Sequence, residues 1–107
     1  MTLQKPSQEA LQVTILREDG ERGGRYVAKI EGAADEGELA YYRSAPNVVI
    51  ANHTGVPPAL QGRGIAAKLV ERLIADADAE GFRIVPACSY VAAQRKRHPE
   101  WERFFVS

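Results

Sequence analysis

Two residues that can move protons or acyl groups follow apolar runs in this chain. His53 comes just after Val48-Val49-Ile50-Ala51, and histidine's reference pKa of about 6.5 suits a general base. Cys88 follows Ile84-Val85-Pro86. A thiol in such a place either attacks a carbonyl, once a base or a positive charge lowers its pKa from about 8.5, or protonates a departing thiolate. Tyr90, two residues on, could orient a ligand or donate a proton. Each also has a plain structural reading: a histidine closing a strand end, a small buried hydrophobe, and a packing tyrosine with a solvated hydroxyl.

Between them lies Gln61-Gly62-Arg63-Gly64-Ile65-Ala66. Gly62 and Gly64 remove side chains where a loop enters a helix, so backbone N–H groups can point at an anion near the positive end of the helix dipole. A pyrophosphate suits such a site, although two glycines also serve a tight turn. Gly62, Gly64 and Ala67 fit the dinucleotide pattern G-x-G-x-x-G/A, but Pro57-Pro58-Ala59-Leu60-Gln61 separates the loop from the preceding strand. No acidic residue stands near Ala87 to take a ribose hydroxyl. The Gly-Lys-Ser/Thr ending of a P-loop is missing too.

The elements that must hold these residues are legible from periodicity. Leu11, Val13 and Ile15 alternate with polar residues, Asp19-Gly20 and Gly23-Gly24 interrupt, and Arg25 to Glu31 alternates again. The connection between these first two strands is expected over about Arg17 to Arg25. Turn signals at Ala33 to Gly37 and at Ser44 to Asn47 set off two more strands, giving a four-stranded antiparallel meander. After Pro57-Pro58 the period becomes about 3.6, with Ile65, Leu69, Leu73 and Ala77 on one stripe, and Gly81 is placed to cap that helix. Phe82 to Ala87 reads as a strand parallel to its neighbour, reached by a crossover helix. Ser89 to Arg97 forms a short last helix that His98-Pro99 stops, and Trp101, Phe104 and Phe105 make an apolar tail that docks on the core or on a partner.

With 107 residues, 45% hydrophobic and 26% charged, the chain suits one domain over residues 11–107 after a flexible segment at 1–10. Formal net charge is zero, which argues against a nucleic-acid partner; residues 1–56 carry 6 basic and 8 acidic side chains, and residues 57–107 carry 8 and 6. The anion-binding half is therefore expected to be the second. A lone cysteine and the lack of an apolar leader or span point to the cytoplasm and away from membranes. No metal site is expected.

Antiparallel strands, then Gln61-x-x-Gly64-x-Ala66 opening a helix, then one parallel strand, resemble the GNAT superfamily of N-acetyltransferases, whose signature is Q/R-x-x-G-x-G/A. His53-Thr54-x-Val56-Pro57, Pro86-x-Cys88-x-Tyr90 and His98-Pro99-Glu100 look like a subfamily of very short members, and the likeness runs from about residue 11 onward. It implies an α/β (α+β) fold: a meander of four strands, a helix, a parallel strand and a short C-terminal helix. It also implies acetyl-coenzyme A as donor, with the pyrophosphate on the Gln61–Ala66 amides and the pantetheine between two splayed strands. The N–H near Val56 would face the thioester, with His53, Cys88 and Tyr90 as reacting groups. Arg63, within the loop, ranks ahead of Lys68 and Arg95 for the coenzyme's 3′-phosphate. Most members wall the acceptor site with two helices between the first strands, so here the acceptor side should be open. The acceptor amine, a small molecule or a protein, and the oligomeric state are left undecided. A non-catalytic acyl-coenzyme A sensor acting through a partner, or a structural protein dimerising through its tail, are the alternatives.

Overall fold

The computed structural model describes residues 12–106; the expected flexible segment at 1–10 falls outside them. Five strands form one sheet in the order β1-β2-β3-β4-β5: Val13–Asp19, Gly23–Ile30, Glu36–Ala45, Val48–Gly55 and Arg83–Pro86. The first four make the expected meander, and β5 is parallel to β4, from Val48↔Arg83 to Ala51↔Pro86. Helix α1, Ile65–Glu80, makes the crossover, and α2, Ser89–Arg97, follows β5. Among the described residues, no helix is long and apolar enough to cross a membrane.

The first hairpin is tighter than its glycines suggest. β1 runs to Asp19 and β2 starts at Gly23, so only residues 20–22 turn, closed by a hydrogen bond from Gly20 N to Gly23 O at 2.8 Å. Gly23 and Gly24 are strand residues and not breakers. At Gly24 a Cβ would stand 2.1 Å from the carbonyl oxygen of Glu18, so glycine here permits two strands to approach closely.

One face of the sheet is buried under both helices and the tail. Tyr26, Ala28, Ile30, Leu39, Tyr41, Val49, Ala51 and Ile84 meet Ile65, Leu69, Val70, Leu73, Ile74 and Ala77 of α1, and Val91, Phe104 and Phe105 complete the cluster. The tail covers core, as one of its two expected roles required. Pro99–Phe104 winds as a 3-10 turn, and Phe105 then bridges Ile84 in parallel, with Val106 N donating to Ile84 O at 3.0 Å. The other face carries Leu16 and Tyr42 exposed, with ion pairs Arg25–Glu18 and Arg25–Glu38 beside them.

The C-terminal half of α1 is tied to the sheet by a polar cluster. Asp76, only 15% exposed, accepts from Arg17 Nη1 at 3.1 Å, from the Tyr26 hydroxyl at 2.8 Å and from Arg72 Nε at 3.2 Å. Arg17, 13% exposed, also pairs with Glu80 and donates from Nε to the Tyr41 hydroxyl at 3.2 Å; Arg72 Nη1 reaches Ile15 O at 3.1 Å. Burial first, then the bond to Asp76, holds the Tyr26 hydroxyl far above the ordinary phenol range, so it stays a neutral donor. Removing the shared acceptor strands the Tyr26 hydroxyl and Arg72 Nε and leaves Arg17 Nη1 to Glu80 alone, and breaking a partly buried charge network from one side is costly. Asp76→Ala should therefore lower unfolding free energy by about 2–4 kcal/mol, a fall in Tm of roughly 10 °C or more, measurable by urea and thermal denaturation.

Candidate functional site

The site grows from the end of β4. Tyr41 faces Ala51 and Ala40 faces His53, so two residues of β4 oppose one step of β3 and Asn52 is the extra residue of a β-bulge. Asn52 and His53 are consequently both exposed. Registered partners point their side chains to the same face, so Thr54, opposite buried Leu39, lies on the helix side. His53, opposite Ala40, lies on the open side. At the same level β5 leaves the sheet. Pairing ends at Ala51↔Pro86, Cys88 N donates to Ala51 O at 2.9 Å, and α2 begins. Among the described residues, no strand pairs with β4 on that edge from Asn52 onward.

Into this gap opens a cavity of about 390 Å³ lined by Thr54, Val56, Leu60, Gln61, Gly62, Gly64, Ile65, Ala66 and Tyr90. Pro58–Leu60 forms a 3-10 turn that buries Leu60, and Gln61 Nε2 donates back to Val56 O at 3.0 Å, fastening the loop to the strand end. Gly62 and Gly64 sit at φ +80° and +77°, in the left-handed region that side chains disfavour, and among the described residues nothing beyond their own chain neighbours lies within 4 Å of where their Cβ atoms would be. These glycines are demanded by backbone conformation, and the space above them is free. Gly64 caps α1, whose first turn has no acidic residue and no side-chain cap, leaving its N–H groups to a ligand. Ile65 anchors the loop from below: a Cβ on Gly37 of β3 would come 3.0 Å from Ile65 Cγ2 and 3.5 Å from Val56 Cγ2.

Of the residues expected to bind coenzyme, Val56, Gln61, Gly62, Gly64, Ile65, Ala66 and Tyr90 line this cavity, while Arg63 and Lys68 are exposed beside it. Arg95 lines a different concavity with Pro86, Lys96 and Pro99. It pairs with Glu102 and lies over the Phe105 ring at 5.2 Å. His53 is 60% exposed on the open face, its Nε2 3.8 Å from Glu38 Oε2. Cys88 is half-buried at the start of α2, and its neighbour is Thr54, Sγ to Oγ1 at 3.4 Å. Burial raises the thiol's pKa. The Thr54 hydroxyl, then the N–H groups of Val91, Tyr90 and Thr54, more than offset this and hold it below the ordinary value. His53 and Cys88 are thus not brought together; Thr54 stands between their two faces. Thr54, which stands in the His53-Thr54-x-Val56-Pro57 motif without an assigned role, and Leu60 also line the cavity. The signal for Thr54 was Asn52-His53, two polar residues in succession where an alternating strand should have only one.

A family model described as GCN5-related N-acetyl-transferase matches residues 25–104. The chain belongs to the GCN5-related N-acetyltransferases. It is also similar to a GCN5-like protein from Staphylococcus aureus solved by solution NMR, at 20% identity over 86% of this chain and 88% of that one, with a TM-score of 0.66. That likeness supports the fold. A comparison with curated proteins gave no match. As an N-acetyltransferase the enzyme moves an acyl group to an amine. Because Gly64 lies at positive φ with open space above it, Gly64→Ala should cost about 1–2 kcal/mol from backbone strain alone, with no packing clash. A fall in Tm of roughly 4–16 °C with an unchanged circular-dichroism spectrum at 20 °C is the expected result.

Proposed function

We propose that this N-acetyltransferase takes its acetyl group from acetyl-coenzyme A, with residues 11–107 acting as one domain. The observation that carries the reading is the cavity beside the splayed end of β4, floored by Gly62 and Gly64 at the uncapped start of α1. The loop amides hold the pyrophosphate, Arg63 and Lys68 meet the outer phosphate, and Tyr90 orients the pantetheine. Arg95, paired with Glu102, has no part in it. The N–H near Val56 faces the thioester carbonyl and stabilises the oxyanion that forms there. His53 takes the proton of the amine arriving over the open face, and Cys88 acts at the thioester from the helix side. A single thiol in such a role suits a reducing compartment, the cytoplasm.

Saturation by acetyl-coenzyme A at about a hundredfold its Kd adds ~2.7 kcal/mol to stability, so thermal unfolding should shift upward by roughly 10 °C or more. A shift with a nicotinamide dinucleotide and none with acetyl-coenzyme A would sink the reading. Given binding, His53→Gln should lower kcat for an amine acceptor by about a hundredfold or more while leaving the coenzyme-induced shift intact. Unchanged turnover in that variant removes His53 as the base.

A further inference from the structure

The two faces of β4 raise a question about Cys88. A cysteine that attacks a thioester needs its thiolate, and the usual partner is a histidine within hydrogen-bond reach. His53 cannot fill that place, because it precedes Thr54 and successive strand residues point to opposite faces; Thr54 is the one that meets the sulfur. We propose that Thr54 is the positioning residue that holds the Cys88 sulfur as a thiolate at the cavity, in the place where other cysteine enzymes put a histidine.

Three observations support it. Thr54 Oγ1 lies 3.4 Å from Sγ and Thr54 itself lines the cavity, so it joins the sulfur, which stands just behind it, to that space. The thiol donates to this oxygen; once the proton leaves, the hydroxyl turns and donates to the thiolate. Cys88 is also the residue before the first turn of α2, with the N–H groups of Tyr90 and Val91 turned toward the sulfur without closing a capping hydrogen bond on it. Finally, the donors that hold the sulfur from β4 and α2 are uncharged, so the thiol's pKa is lowered without an ion pair. An aliphatic residue at position 54 would leave the sulfur with backbone N–H groups alone.

The inference rests on the reading that Cys88 takes part in transfer, and gives that part a direction. The thiolate attacks the carbonyl carbon of the acyl donor. The Sγ–C bond forms as the bond from that carbon to the coenzyme sulfur breaks, and the coenzyme leaves as a thiolate. The amine then attacks the acyl-cysteine from the open face, forming the C–N bond. Cys88 departs as the thiolate it began as, and the amine's proton passes to His53. Thr54 serves both steps, because the sulfur is an anion before the first and after the second.

Cys88 is the chain's one cysteine, so alkylation by iodoacetamide reports it alone. In the free protein, the pH midpoint of alkylation should lie below that of the same chain unfolded in urea. Thr54→Val, which keeps the shape and removes the hydroxyl, should move the midpoint to higher pH, and Thr54→Ser should restore it. Equal midpoints for wild type and Thr54→Val overturn the proposal. Should that variant not fold, a folded wild-type midpoint at or above the unfolded one overturns it equally. These measurements need no coenzyme, so they stand apart from the reading they deepen. If acetyl-coenzyme A gives no thermal shift, the donor assignment fails while the Thr54 result is still read from the free thiol.

Discussion

Much of this structure depends on the loss of one partner by β4. Through Ala51 the strand is hydrogen-bonded on both sides; after Ala51 the β5 side is empty because the chain at Pro86 turns away into Cys88 and α2. A strand edge buried without a partner would leave costly unsatisfied amides, so this gap must face solvent or a ligand. The bulge at Asn52 sits at the same level and increases the local twist. It is the bulge that sends Thr54 to the helix side and His53 to the open side. Were the alternation regular from Ala51 onward, their faces would exchange, and His53 would point to the helix side.

A gap alone is no site unless its other wall is fixed, and α1 supplies that wall from two anchors. At its start Ile65 sits close on Gly37 beside Val56, so the loop cannot lift without opening the core. At its far end Asp76 gathers donors from Arg17, Tyr26 and Arg72, tying the helix to the first two strands. An apolar stripe by itself would let a helix slide or rotate on a flat sheet. Directional bonds at one end and a tight glycine contact at the other leave less room for that. The cluster's contribution is therefore geometric as well as energetic, since it holds the uncapped helix start in place from about three turns away.

The architecture was legible in the sequence where a period of two gave way to one of 3.6, and where Gly81 and His98-Pro99 stopped the helices. The four-strand meander, the crossover helix and the parallel strand all follow those signals. The first turn is shorter than its glycines imply because glycine is ambiguous: at Gly23-Gly24 it marks close strand contact, and only the neighbouring strand reveals which meaning applies. The Gln61–Ala66 loop was legible because a chain that enters a helix at positive φ needs glycines at fixed positions. Thr54 was not, since its importance comes from register. A bulge is a relation between two strands, and Asn52-His53 signals it only weakly within one. The Asp76 cluster was hidden for the same reason: Arg72 is a local partner one helical turn away, but the donors that tie the helix to the sheet come from residues 17 and 26, far along the chain.

The separation of faces also bears on how a chain of 107 residues can run a two-substrate reaction. Enclosing both substrates in one pocket takes walls on every side, and here both helices and the tail are spent on a single face. A gap through the sheet removes the need for a second wall. On the proposed reading the donor approaches from the helix side, where loop and cavity hold it, and the amine from the open side, where His53 stands beside Glu38. The two meet edge-on at the unpaired end of β4. Such a site binds the donor far better than it encloses the acceptor, so selectivity among amines has to come from the acceptor's own fit to the open face.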